Sequence, residues 1–404
     1  MFTVIPSGSV TSPQGFEAGA AYAGVKTAME GQRDIGILFS ERPCVIAGAF
    51  TTNKFRAAPV HWCQERVHAG RTAQAVVVNS GNANAGTGDE GYRNAAQMAA
   101  VGADKLGLTT HDVLVASTGV IGVQLPMQKI HEGIAAITLS KASGHEFARA
   151  IMTTDTVSKE IAVEVALSGG RGVIGGACKG AAMIHPNMAT MLAFISTDIA
   201  VEPEFLREAL SAAVADSFNM IDVDGDTSTN DTVLALANGM AGNSPLRRAG
   251  SPDADTFLEA LGHVCRHLAK CIVRDAEGAT KLIEVQVQGA AGGEDARLAA
   301  RTVSSSILLK AAVYGNDPNW GRIAAAAGRS GAAIDLEKVD IFLSHVCLMR
   351  GGQPQDFDHE AARIAIGQKE VVITMDLHLG TGRATAWGCD LTQEYVRLNA
   401  EYTT

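Results

Sequence analysis

What most constrains the fold is the order in which short β-branched runs and helical periodicities follow one another. Residues 73–79 (AQAVVVN) form a bounded apolar run suited to a buried strand, residues 113–117 a further short strand, and residues 161–167 an alternating one. Helical spacing occupies residues 92–106, 127–139 and 145–153. Two apolar runs in residues 34–52 flank Glu41-Arg42-Pro43, which suggests a hairpin. Further on, residues 192–197 and 282–288 read as strands, residues 232–237 as an apolar run, and residues 204–219, 256–273 and 299–313 as helices. Three more strand-like runs surround Asp340, Val371 and Ala384, and residues 242–255 make the best linker. No clean parallel βαβ rhythm emerges, so layered sheets flanked by helices are expected.

Composition agrees with dense α/β layers. Of 404 residues, 47% are hydrophobic, 19% charged and only 5% aromatic, with 43 glycines, which excludes a disordered chain or a coiled coil. A net charge of −10 leaves no basic patch for nucleic acid or an anionic membrane surface. Seven cysteines, an odd number, fit reduced thiols better than a disulfide framework. No secretory leader and no run of about 20 apolar residues is visible, so the cytoplasm is the expected compartment.

The chemistry concentrates in residues 179–192, KGAAMIHPNMATML. A lone threonine hydroxyl such as that of Thr190 is a weak nucleophile unless a base stands beside it. One way to supply the base is to make the threonine a chain terminus, whose own α-amine accepts the proton. Such amines titrate near pH 8, so part of the population is unprotonated at neutral pH (roughly 7.7–8.0). On composition alone the run reads more simply as a strand entered through Pro186-Asn187. His185, before that turn, reads as a turn residue or as an aid to cleavage.

Other signals are weaker. Gly86, Gly88 and Gly91 match a dinucleotide fingerprint, but six residues separate Gly86 from the strand end at Asn79, and Asp89 and Glu90 would repel a pyrophosphate. Gly170, Gly172 and Gly175 match the same pattern by chance. His263, His267 and Cys271 recur at helical spacing as a metal set would, but they read as a solvated face, and no zinc motif occurs. Asp222, Asp224, Asp226 and Asp231 lack the glycine and closing glutamate of a calcium loop and read as capping and turn residues. Thr118-Gly119 at a strand end can offer a hydroxyl and an unhindered N–H to an oxyanion, though an ordinary turn explains it as well. Thr153 and Glu277 carry the same ambiguity.

Over nearly its whole length the chain resembles the ornithine acetyltransferase family, or bifunctional glutamate N-acetyltransferases, of arginine biosynthesis. The resemblance rests on FTTNKFRAAPV, NSGNANAGTG, STGVIG, MTTDT, KGAAMIHPNMATML, DVDGDTSTNDT, DAEGATK, YGNDPNWGRI and GTGRATAWGCDLTQEYVRLNAEYTT. It implies an α/β/β/α layered sandwich, self-cleaved between Ala189 and Thr190 into chains 1–189 and 190–404, with a smaller α/β subdomain at about residues 250–350. It implies two copies of each chain in a heterotetramer. It further implies Thr190 as nucleophile, Thr118 and Gly119 as oxyanion hole, and Thr153, Lys179, Glu277, Asn399 and Thr404 as substrate-binding groups, with no metal. The implied reaction carries acetyl from N-acetylornithine to glutamate by a ping-pong cycle through acetyl-Thr190, without a bound cofactor. Acetyl-coenzyme A is left open as a further donor. A self-cleaving aminopeptidase or amidase and a dinucleotide-binding module are the alternatives.

Overall fold

The computed structural model describes residues 1–26, 32–185 and 191–401. Nine of the described strands form one sheet. Its order runs Phe2–Val4, Lys159–Leu167, Gly170–Lys179, Leu192–Thr197, Thr232–Ala237, Ile35–Phe50, Thr72–Asn82 and Val113–Val120, with Phe16–Ala21 added beside Ile35–Phe50. Most neighbours are antiparallel; Leu192–Thr197 and Thr232–Ala237 run parallel, as do Thr72–Asn82 and Val113–Val120.

The central strands show why their sequences are apolar throughout. Along Leu192–Thr197, Leu192 and Phe194 enter one core while Ala193 and Ile195 enter another. Thr232–Ala237 splits likewise, Leu234 and Leu236 to one side, Val233 and Ala235 to the other. A strand covered on both faces has no polar face to display. Helices Ala58–His68, Gly88–Leu106, Met127–Ala136 and Gly144–Ala150 cover the first core. Helices Pro203–Ala215 and Pro252–Arg274 cover the second, which continues into a seven-stranded sheet. That sheet takes Ile221–Asp222, Leu282–Ala290, Asp340–Leu343, Val346–Arg350, Gln353–Pro354, Glu370–Asp376 and Gly382–Cys389. Among the described residues no helix is long and apolar enough to cross a membrane.

Two local expectations are corrected, and one strand is added. Residues 34–52 are one strand, Ile35–Phe50, rather than a hairpin: exposed Glu41, Arg42 and Pro43 sit in a register slip against Thr72–Asn82, between Phe39 and Cys44. A bulge is where proline can stand in a sheet without a missing ladder bond. Residues 299–313 belong to two helices, Gly293–Ser304 and Ile307–Tyr314, because Ser306 caps the second by accepting the Leu309 N–H. The glycine-rich Gly170–Lys179 is a strand, paired on both sides. Its glycines serve close packing: a Cβ on Gly175 would stand 2.4 Å from the Ser9 carbonyl oxygen, and one on Gly176 2.9 Å from Leu268.

Candidate active site

The site gathers where several strands end. Val113–Val120 pairs with Thr72–Asn82 until Gly81, where the register slips. Gly119 has φ +134°, and a Cβ there would fall 2.3 Å from the Gly81 carbonyl carbon, so only glycine fits. Asn230 holds this strand end by donating to the carbonyls of Ser117 (2.8 Å) and Ala83 (2.6 Å). Lys179 closes its own strand, is buried, and donates to the Thr118 hydroxyl at 3.4 Å. Glu277 follows helix Pro252–Arg274, and its N–H donates to the Ala181 carbonyl at 2.9 Å. Helix Gln393–Glu401 brings Asn399, whose amide donates to Glu277 Oε2 at 2.9 Å.

One pocket of about 170 Å³ is lined by Thr118, Gly119, Thr153, Lys179, Glu277 and Asn399 together. Residues more than 280 positions apart in sequence therefore share one cavity. The structure adds Asp224, Asn230 and Tyr395 to its wall, none of which the sequence singled out for this site. Ala189, Thr190 and Thr404 lie outside the described residues.

The flanks of residues 186–190 are described, and the aspartates hold them. Met183 has φ +56°, an uncommon conformation for a side-chain-bearing residue. It is kept there by Asp224, whose carboxylate accepts the N–H groups of Met183 (2.6 Å) and Ile184 (2.9 Å). His185 Nδ1 lies 2.8 Å from Asp222 Oδ1, and the other oxygen of Asp222 takes the buried Lys310 ammonium. On the far side the Met191 N–H donates to Asp231 Oδ1 at 3.0 Å, and the Met191 carbonyl accepts the Thr232 N–H at 3.0 Å. The DVDGDTSTND run makes the expected turn hydrogen bonds, Asp226 N–H to Asp224 Oδ1 and Asn230 N–H to Ser228 Oγ, and is in addition a clamp on a distant segment. The signal was its density of buried-type aspartates without a helix start to cap.

Charge in the site is set mainly by burial. Burial pushes the Lys179 ammonium down, with Lys159 adding to the fall and Asp155, Asp231 and Glu277 opposing it. Burial would raise the Asp155 carboxyl, but the charges of Lys179 and Lys159 overcome it and hold it at about 2. Asp224 is raised by burial despite its three backbone donors. Asp231 is raised well above the usual carboxylate range for the same reason; its Oδ2 has no hydrogen-bond partner among the described residues. Burial and the nearby Asp224 charge keep the Tyr395 phenol protonated. A buried cation and a carboxylate facing one small cavity suit a zwitterion, and a glycine backbone beside a hydroxyl suits a developing oxyanion.

The other candidates stay apart from this pocket. Gly86 and Gly88 turn with positive φ before helix Gly88–Leu106, and a Cβ on Gly91 would strike Thr87 Oγ1 at 1.9 Å. The His263 ring packs tilted against Phe2 with ring centroids 5.0 Å apart, and His267 Nε2 lies 3.5 Å from Cys271 Sγ. These histidines are half-buried rather than solvated. Among the described residues no three His, Cys, Asp or Glu side chains stand together as a metal set.

Residues 17–404 match the ArgJ family. The "Arginine biosynthesis bifunctional protein ArgJ" of Dehalococcoides mccartyi is 54% identical over 402 residues, covering 99% of this chain and 98% of that protein. The protein of the same name from Symbiobacterium thermophilum is also 54% identical, over 400 residues, covering 98% of this chain and 99% of that one. Among solved structures, the ArgJ crystal structure from Bacillus halodurans aligns with a TM-score of 0.51 and 46% identity, over 53% of this chain and 100% of that chain.

Proposed function

The chain belongs to the ArgJ family of arginine-biosynthesis acetyltransferases, and from that premise we propose that it moves acetyl from N-acetylornithine to glutamate through an acetyl ester on Thr190. The observation that carries the reading is the convergence of Thr118, Gly119, Thr153, Lys179, Glu277 and Asn399 on one amino-acid-sized cavity. Ornithine and glutamate are zwitterions, and Lys179 and Glu277 supply the two complementary charges.

In the proposed cycle the Thr190 hydroxyl gives its proton to the Thr190 α-amine and attacks the acetyl carbonyl. Thr118 and the Gly119 N–H receive the negative charge on the carbonyl oxygen. The carbon–nitrogen bond breaks, and the proton passes from the α-ammonium to the leaving ornithine amine. The glutamate amine then attacks the ester, takes the acetyl group and returns Thr190 to its free form. The α-amine exists only after cleavage before Thr190. We assign that step to the same hydroxyl, which attacks the Ala189 carbonyl and shifts the chain from nitrogen to oxygen before water releases residues 1–189. Residues 190–404 form the second chain, Thr404 closes the substrate site, and two copies of each chain make the assembly. Acetyl-coenzyme A is proposed as a further donor to the same threonine.

Denatured intact-mass spectra of the protein and of Thr190→Ala test the reading. The wild type should give two fragments split before Thr190, and the variant one chain of 42.0 kDa with no transfer. With glutamate withheld, ornithine release should stop after one burst; continued release marks a hydrolase, and full turnover by Thr190→Ala ends the proposal.

A further inference from the structure

Beside the pocket runs a buried chain of alternating charge, Asp155–Lys159–Asp275, that the proposed cycle does not use. Asp155, 8% exposed, accepts the Thr153 N–H on Oδ2 at 2.9 Å. Its Oδ1 accepts the Gly180 N–H at 2.7 Å and the Lys159 ammonium at 2.6 Å. Lys159, 1% exposed, reaches on to Asp275 Oδ2 at 2.5 Å. Asp275 in turn accepts the backbone N–H and hydroxyl of Thr156 and sits two residues before Glu277. One carboxylate thus ties the loop of Thr153 to the residue after Lys179, and one lysine ties that carboxylate to the approach to Glu277.

Buried ion pairs are weak devices for stability, because an apolar replacement of similar volume often does as well. A chain of three linked charges, Asp155, Lys159 and Asp275, beside a binding pocket calls for another account. We propose that Asp155 is the positioning residue of this site, keeping Lys179 charged to receive a substrate carboxylate while fixing the Thr153 and Gly180 backbones around it. The proposal rests on reading the pocket as an amino-acid site. The charged groups facing Lys179 are Lys26, Asp155, Lys159, Asp231 and Glu277. Burial and Lys159 drive its proton off, and Asp155 is the strongest of the three carboxylates that oppose them. Without the Asp155 charge, Lys159 would remain paired to Asp275 and still repel Lys179. A neutral Lys179 gives a carboxylate no counter-charge.

The test uses the full-length, self-cleaved protein, with Asp155→Asn and the double variant Asp155→Asn, Lys159→Met, each checked for a cooperative thermal melt. For Asp155→Asn, the KM for glutamate at pH 8 should rise about tenfold or more with a smaller change in kcat, and recover as the pH falls to 6. The double variant removes the repelling charge and should regain most of the lost affinity. Lys179 itself is followed by NMR titration of ¹³Cε-lysine-labelled protein, with Lys179→Arg for assignment; its midpoint should fall by about one unit or more in Asp155→Asn. An unchanged midpoint, or a loss equal at every pH and unrelieved in the double variant, overturns the proposal. A wild type that transfers no acetyl to glutamate, with the midpoint shifted as expected, would instead overturn the substrate reading and leave the charge coupling standing. If Asp155→Asn does not fold, the midpoint in Lys159→Met should rise, and a fall there overturns it.

Discussion

Replacing Gly119 by alanine separates strain from function at the proposed oxyanion site. With φ at +134°, an alanine there occupies a region L-residues rarely enter, at about 1–3 kcal/mol. Its Cβ would also stand 2.3 Å from the Gly81 carbonyl carbon, 2.5 Å from the Asn82 nitrogen and 2.7 Å from the Gly81 Cα. All three are backbone atoms, so no side chain can swing away; strands Thr72–Asn82 and Val113–Val120 must part by about 1 Å to reach ordinary carbon contact. Overpacking of that kind adds about 1–3 kcal/mol, for a total of about 2–6 kcal/mol. The displaced atoms are those of Thr118 and Gly119, and a shift of about 1 Å in a catalytic group costs about 100-fold in kcat. Gly122→Ala is the control: its φ is +83° but nothing lies within 4 Å of the added Cβ, so it carries the strain without the clash. Urea unfolding followed by circular dichroism gives the stability difference, and acetyl transfer at saturating substrate gives kcat. Equal stability losses for the two variants, or a Gly119→Ala enzyme with wild-type kcat, would refute the reasoning.

Three further outcomes are expected. The carboxyl of Asp231 is raised by burial, so its contribution is present below the ordinary carboxylate range and lost as the pH rises through the raised value; Asp231→Asn should therefore gain about 1–3 kcal/mol over wild type at pH 8 and less at pH 5, read from thermal melts. Asp155 runs the other way: held at about 2 against an ordinary 3.8, its stabilisation is complete above that ordinary value and lost as the pH falls toward 2. Wild type should lose about 2 kcal/mol more than Asp155→Asn between pH 5 and pH 2 in urea unfolding. Lys310→Met strands the buried Asp222 carboxylate and should cost about 3–5 kcal/mol, most of it recovered in Lys310→Met, Asp222→Leu, as calorimetry would register.

Much of the fold was legible because central strands advertise double burial. The strand expected at residues 192–197 has those bounds, and the apolar run 232–237 is a strand over the same residues, since a continuous apolar run bounded by turn formers has few other fates. Gly170–Lys179 was not legible: a strand with glycine at four of its ten positions carries no clear period-2 signal, and the need for Gly175 and Gly176 comes from Ser9 and Leu268, both remote in sequence. The long Ile35–Phe50 strand was misread because a proline bulge and a proline turn look alike until the partner strand is seen. At the site, the pocket residues were reached through the motif resemblance, while Asp155, Asp224 and Asp231 were missed. Their roles lie in which backbone N–H each accepts, and that is decided by loops meeting in space rather than by spacing along the chain.

The same contacts bear on what proposed cleavage before Thr190 would do to the fold. Strands Gly170–Lys179 and Leu192–Thr197 are antiparallel neighbours paired from Ile174 with Thr197 to Lys179 with Leu192, so both flanks of the cut are anchored in one sheet. Leu192–Thr197 is anchored again on its other edge by Thr232–Ala237. Upstream, Asp224 retains Met183 and Ile184; downstream, Asp231 retains Met191, and both carboxylates come from one short loop. Opening the peptide therefore removes no strand pairing and frees neither flank from its carboxylate.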